Sequence, residues 1–241
     1  MSTPTTLDAA RQRRRFKRRL LKWFRTHGRD LPWRRTRDPY RILVSEIMLQ
    51  QTQVARVEGY WHAFLARFPT LEALARARPR AVREAWSGLG YYRRATNLHR
   101  LARDVVREQG GTLPDSIDAL RALPGIGPYT AGAVASFAFE HNAPAIDTNV
   151  DRVLRRVFHP RTRQDAKGRR RLESTARALV PRPGADAWIT NQALMELGAL
   201  VCTARVMHCA ACPVRPACRT GAQAVTPAIT STARSRSRGN T

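Results

Sequence analysis

Long apolar runs are missing from this 241-residue chain; the longest, AGAVASFAF at 131–139, has nine residues. A bilayer-spanning helix needs about 20, so a membrane span is excluded and no membrane partner is expected. The N-terminus is basic but lacks an apolar signal core, which points to a cytoplasmic, intracellular protein. Acidic residues are scarce: 18 Asp and Glu stand against 43 Lys and Arg, a formal net charge of +25. Such an excess calls for a polyanionic partner, with nucleic acid the first candidate. An anionic membrane surface is the other, but arginine is spread along the whole chain instead of being gathered on one amphipathic helix. Cysteine is absent outside 202–218, and in a reducing compartment that confinement argues for metal and against a disulfide framework. No stretch shows sustained apolar–polar alternation, which excludes a sheet-built fold and leaves an all-α one. Internal repeats are also absent.

What is present is organised around residues 117–152, IDALRALPGIGPYTAGAVASFAFEHNAPAIDTNVDR. Ile117, Leu120 and Leu123 fall at helical spacing. Gly125 and Gly127 allow the backbone to reverse within three residues, and Pro128 suits the first turn of a second helix. The free amides of Gly127, Tyr129 and Thr130 then face outward with partial positive charge, a site for a phosphate oxygen if the motif is more than an ordinary helical hairpin.

Upstream, Leu7 to His27 reads as an amphipathic helix with Phe16, Leu20, Leu21 and Phe24 on one stripe and RQRRR and KRR covering the rest, stopped at Gly28. Its charges are either a solvated face or phosphate contacts. A helix from about Pro39 puts Ile42, Glu46 and Leu49 on one face. A carboxylate among apolar neighbours has its pKa raised by desolvation and favours the protonated acid; alternatively Glu46 pairs with an arginine or caps a helix. Gln50 and Gln51 end that helix, where glutamine suits base edges. Val57, Tyr60, Trp61, Phe64 and Phe68 make a core helix. Gly88 and Gly90 set up a turn presenting Leu89 and Tyr91 beside Arg93 and Arg94, which fits either a wedge for a base stack or a buried turn. Composition makes residues 1–6 loose and 221–241 a disordered basic tail.

Cys202, Cys209, Cys212 and Cys218 are separated by six, two and five residues. Four thiolates so close, with a CxxC at the centre, are a strong metal signal, and the spacing fits tetrahedral zinc or a four-iron cluster equally.

The motifs LPWR, SEIMLQQTQV, GLGYY, LPGIGPYTAGAV, IDTNVDRVL, NQALMELGALVC and the cysteine loop run collinearly over about residues 20–218. Together they resemble the A/G-specific adenine DNA glycosylases of the MutY type, in the helix-hairpin-helix DNA glycosylase superfamily. The resemblance implies a two-lobed helical fold: a six-helix domain at 30–142 containing the hairpin, and a second domain from 7–29 and 143–220 holding a four-iron, four-sulfur (4Fe-4S) cluster on the four cysteines. It implies double-stranded DNA with a mismatch or oxidised guanine as partner, and extrusion of the target nucleotide. Glu46 matches the acid that protonates adenine at N7, and Asp147 the carboxylate that stabilises an oxocarbenium-like sugar. Tyr129 and Asn149 match residues that orient Asp147 and the sugar. Arg34 and Gln192 match positions facing adenine; Gln50, Leu89 and Tyr91 match residues entering the duplex. Gly125, Gly127, Tyr129 and Thr130 match the phosphate-binding hairpin.

Endonuclease III-like lyases carry a lysine where this chain has Tyr129, so a monofunctional glycosylase is expected. The Nudix-like domain with which MutY-type enzymes read 8-oxoguanine has no counterpart here, and thymine glycosylases acting on T·G share the Glu and Tyr. The QQTQ run with GLGYY favours adenine. A non-catalytic mismatch binder would need neither carboxylate. One active site per chain requires no second copy, so a monomer is expected.

Overall fold

The computed structural model describes residues 6–180 and 183–223. The helices are α1 (Thr6–His27), α2 (Pro39–Leu49), α3 (Val54–Arg67), α4 (Leu71–Arg76), α5 (Pro79–Ala85), α6 (Arg93–Gln109), α7 (Ile117–Ala122), α8 (Pro128–Phe137), α9 (Thr148–Phe158), α10 (Ala166–Leu179), α11 (Ala185–Leu200) and α12 (Arg219–Gln223), with single 3-10 turns at Pro32–Arg34 and Arg215–Ala217. Among the described residues there is no strand, only an isolated bridge between Cys202 and Met207, and no helix is long and apolar enough to cross a membrane.

Local chemistry sets the helix starts. Asp38 caps α2 by accepting from the Arg41 amide at 3.0 Å, with Pro39 in the first turn. Thr70, Ser116, Asp147 and Asp165 cap α4, α7, α9 and α10 in the same way. Each side chain supplies an acceptor that the first-turn amides otherwise lack. α6 ends where Gly110 enters the left-handed region at φ 61°.

The helices bury two apolar cores. The first takes Trp33, Tyr40, Leu43, Met48, Phe64, Trp86, Leu98, Leu101 and Phe137 from α2 to α8 and the 3-10 turn before them. The second takes Phe16, Leu20 and Phe24 from α1, and Val153, Leu154, Leu172, Leu194 and Leu197 from α9 to α11. The N-terminal helix therefore packs with the C-terminal ones, and Gln12 secures it by donating to the carbonyls of Ala217 at 2.8 Å and Val157 at 3.2 Å. The exposed face of α1, with Arg14, Arg18, Lys22 and Arg25, is open to solvent. α11 joins the two cores. Its buried Asn191 accepts from the Ala145 amide and donates to Ser136 Oγ and the Ala143 carbonyl, while Met195 packs against both.

Two boundaries differ from the sequence expectation. The first helix already includes Thr6, and the segment expected to be a tail from 221 is helical through Gln223. There the Gly221 amide donates to Cys218 Sγ at 3.3 Å, so the cysteine loop extends order past its last cysteine. Residues 1–5 and 224–241 lie outside the described residues.

α9 and α11 meet at Gly198. A Cβ there would stand 2.7 Å from Asn149 Cβ and 3.0 Å from the Asn149 carbonyl oxygen, so only glycine fits. Gly198→Ala is expected to destabilise the protein by about 1–3 kcal/mol through overpacking, read as a lower urea midpoint; an unchanged midpoint would refute this close approach.

Candidate active site and nucleic-acid interface

Asp147 lies at the start of α9 with extended backbone (φ −85°, ψ −175°). Its Oδ1 accepts from the Val150 amide at 2.7 Å and its Oδ2 from Asn149 Nδ2 at 2.8 Å. Asn149 is itself held, because its Oδ1 accepts from Arg152 Nη2 at 2.7 Å. Arg152 also donates through Nε to the Cys202 carbonyl at 2.8 Å and through Nη2 to the Gly198 carbonyl at 2.7 Å. The sequence signal for Arg152 is its place one turn after Asn149, on the face toward α11.

Glu46 lies in the middle of α2 and is 4% exposed. Its Oε2 accepts from the Tyr129 hydroxyl at 2.6 Å, so α2 and the start of α8 meet at this bond. Burial pushes the Glu46 carboxyl up to about 7; the Tyr129 bond and the Arg34 charge work against the shift, and the Asp147 charge adds to it. Burial also raises Asp147, but the Val150 amide and the Asn149 side chain oppose it. Tyr129 is held well above its usual range by burial and by both carboxylates. Glu46 and Asp147, a hundred and one positions apart in the sequence, thus bear on one phenol.

Arg34 and Gln192 meet directly, Arg34 Nε donating to Gln192 Oε1 at 2.7 Å. Beneath them is Glu196, 0% exposed, which accepts from Arg34 Nη2 at 2.7 Å, Arg29 Nε at 2.7 Å and the Arg29 amide at 2.9 Å. Burial alone would raise Glu196, but the two guanidiniums outweigh it and hold the carboxylate below its usual range. The sequence signal for Glu196 is its place one turn after Gln192 as the lone charge in an apolar run.

The hairpin turn between α7 and α8 is exposed at Gly125, Gly127 and Pro128. Gly125 has φ +79°, and a Cβ there would meet Asn97 Cβ at 2.9 Å. Gly127 precedes α8 without any side-chain cap, so the first-turn amides of Tyr129 and Thr130 start a helix that only its backbone terminates. Their side chains turn inward, Tyr129 to Glu46 and Thr130 to accept from Gln50 Nε2 at 3.3 Å. The carboxamide of Gln50 is therefore occupied in the free protein, and it is Gln51, at φ 57°, that is exposed.

The GLGYY turn splits the expected pair. Tyr91 is 60% exposed, but Leu89 is 4% exposed and belongs to the first core, so of the two readings of this turn the leucine takes the buried one and the tyrosine the outward one. Positive φ at Gly88 (93°) and Gly90 (74°) folds the intervening leucine back onto the helices.

The four cysteines line one cavity together with Arg156, Val157 and Leu197. Burial pushes the Cys212 thiol up to about 11, with the other three sulfurs adding to the shift. Arg156 Nη1 reaches Cys202 Sγ at 3.4 Å and the Thr203 carbonyl at 2.7 Å. Among the described residues no three His, Cys, Asp or Glu side chains close tightly enough to hold a single metal ion.

The chain is similar to known proteins both in sequence and in fold. An adenine DNA glycosylase of Mycolicibacterium smegmatis is 48% identical over 196 residues, 81% of this chain and 66% of that protein. The human adenine DNA glycosylase is 44% identical over 219 residues, 85% of this chain and 39% of that protein. The chain thus spans less than two thirds of the length of these relatives. Among solved structures, a thermostable thymine-DNA glycosylase matches with TM-score 0.82 at 31% identity, covering 88% of this chain and 98% of that one. A trapped endonuclease III–DNA covalent intermediate matches with TM-score 0.74 at 26% identity, covering 93% and 99%. Residues 44–186, more than half of the chain, match the family described as HhH-GPD superfamily base excision DNA repair protein, and the chain belongs to that family.

Proposed function

We propose that this chain is a monofunctional DNA glycosylase that removes adenine mispaired with guanine or 8-oxoguanine by hydrolysing the N-glycosidic bond. The observation that carries the reading is the unequal pair of carboxyls around Tyr129: Glu46 raised to about 7 in an apolar setting, and Asp147 held by an amide and a carboxamide. Hydrolysis of a glycosidic bond needs one neutral acid and one anion, and environment supplies the difference.

In this mechanism Glu46 donates its proton to N7 of the extruded adenine, which makes the base a good leaving group. The Asp147 carboxylate then faces the developing positive charge on the sugar, with Asn149 fixing its rotamer. Tyr129 stays neutral and holds the carboxyl of Glu46 in place; it offers no amine for a Schiff base, so strand cleavage is weak or absent. Arg34 and Gln192 receive the base edge, and Glu196 fixes the guanidinium of Arg34. The hairpin at Gly125, Gly127, Tyr129 and Thr130 takes a phosphate, while Gln50, Gln51 and Tyr91 meet the duplex. We assign 30–142 to a hairpin-containing lobe and 7–29 with 143–220 to a second lobe, working as a monomer inside the cell, on the genome.

Cys202, Cys209, Cys212 and Cys218 would hold a 4Fe-4S cluster. The four thiols line one shared cavity; their spacing suits tetrahedral zinc as well, and the resemblance of the cysteine loop to that of the endonuclease III and MutY branches favours the cluster. When bound, the cluster supplies structural cross-linking of the 202–218 segment.

The relatives named adenine DNA glycosylase favour adenine; the thymine-DNA glycosylase matched over 98% of its own chain keeps T·G as the second reading. Base release from duplexes holding A·8-oxoguanine, A·G, T·G and U·G, each followed by alkali, separates them. Release of thymine without adenine would overturn the adenine reading.

Asp147→Asn keeps the capping acceptor of α9, so the fold and duplex binding are expected to persist while base release falls by at least about 1000-fold; full activity would remove Asp147 from the mechanism. Single-turnover release is expected to hold up to about pH 7 and then to fall about tenfold per pH unit as Glu46 loses its proton. Stability should follow the same group. Because its folded pKa lies above the usual 4.5, the favourable contribution is complete below pH 4.5 and is lost as pH rises through 7. Glu46→Gln should therefore melt higher than the parent at pH 8, by up to about 3 kcal/mol, and the gap should close toward pH 4.5; a gap independent of pH would contradict the burial argument. Purified protein is expected to be brown with about four irons per chain, and a colourless, fully active zinc protein would refute the cluster.

A further inference from the structure

Arg94, the second residue of α6, is 9% exposed and makes no bond to a carboxylate. Its guanidinium faces two separate segments. Nη1 donates to the carbonyls of Ile47 at 2.9 Å, Met48 at 2.7 Å and Gln50 at 2.5 Å, the end of α2. Nη2 donates to Thr52 Oγ1 at 3.1 Å on the same side, and to the carbonyls of Gly90 at 3.2 Å and Leu89 at 3.5 Å in the GLGYY turn. The rings of Trp86 and Tyr91 lie 5.5 and 5.4 Å from its central carbon. The carbonyls at the end of a helix have no partners of their own and carry partial negative charge, which a cation satisfies.

The same two segments hold two of the three non-glycine residues with positive φ among the described residues, Gln51 at 57° and Tyr91 at 48°. An L-residue in that conformation costs about 1 kcal/mol or more and persists only where the surroundings impose it. Both side chains are exposed, and each follows or precedes a backbone group bonded to Arg94. Arg94 supplies the imposition at both places, from one planar group with donors on two sides.

We infer that Arg94 is a positioning residue that locks Gln51 and Tyr91 together as a two-pronged reader of duplex DNA. Recognition of the duplex then depends on a side chain that itself never reaches it. The role rests on the proposed action on DNA; the clamp itself does not.

Amide hydrogen exchange on the free protein tests the clamp. In Arg94→Met, which keeps an apolar stem without donors, exchange is expected to rise in both 50–53 and 88–92, with 147–150 unchanged. Arg94→Lys, whose single ammonium cannot span both segments, should loosen one segment and melt close to the parent, so a poorly folding Met variant does not end the test. Loosening of neither segment in both variants, or of only one in the Met variant, would overturn the clamp. Duplex binding tests the role. Arg94→Met should weaken affinity for a mismatch duplex by about tenfold, a size usual for residues in one network. In a Gln51→Ala/Tyr91→Ala background, where neither prong is left to be held, the same change should weaken it less than about twofold. Fully additive losses would mean that Arg94 acts only on general stability and would overturn the proposal. The pH at which release declines should stay that of the parent, because Arg94 does not touch Glu46. Failure of the unsubstituted chain to bind any duplex would sink the DNA reading and the role of the prongs with it, while leaving the exchange result standing.

Discussion

The bond between the Tyr129 hydroxyl and Glu46 Oε2, 2.6 Å long and made by a half-buried phenol to a buried carboxyl, is the constraint on which the site depends. It brings the middle of α2 against the first turn of α8, so the hairpin that ends in Tyr129 cannot shift without moving the acid. It also occupies one carboxyl oxygen and leaves the other to carry the proton. A carboxyl in this position is costly to ionise, and the fold accepts that because the first core encloses α2 almost completely.

Around that bond the two carboxylates are treated differently. Glu46 has apolar neighbours and one hydroxyl donor; Asp147 caps a helix and is gripped by a backbone amide and a carboxamide. The grip on Asp147 continues outward through Asn149 and Arg152 to the Cys202 carbonyl, so the start of α9, the end of α11 and the cysteine loop form one connected frame. Gly198 permits the close packing that this frame requires.

The arginines divide by burial. Most are exposed, and their contribution is the long-range field expected to draw a polyanion. A few are built in: Arg34 and Arg29 on the buried Glu196, Arg152 on Asn149, and Arg94 on the end of α2 and the GLGYY turn. These bond in two directions at once through planar guanidiniums, which a lysine at the same place would not do.

Helix positions, the hairpin and its glycines, the isolated cysteine cluster and the candidate acid at position 46 were legible in the sequence, because capping, turn formation and helical periodicity are set by residues a few positions apart. Leu89 was not: a GLG turn can point its middle residue outward or inward, and only the core behind it decides. Arg94 and Glu196 were equally hidden, since a charge in a basic chain or on a helix shows its role only through distant partners. Local chain chemistry determined the elements and the residue types available for catalysis. Tertiary packing decided which carboxyl is desolvated, which arginines are buried and which loop tips face out, because desolvation and hydrogen bonding depend on neighbours that are remote along the chain.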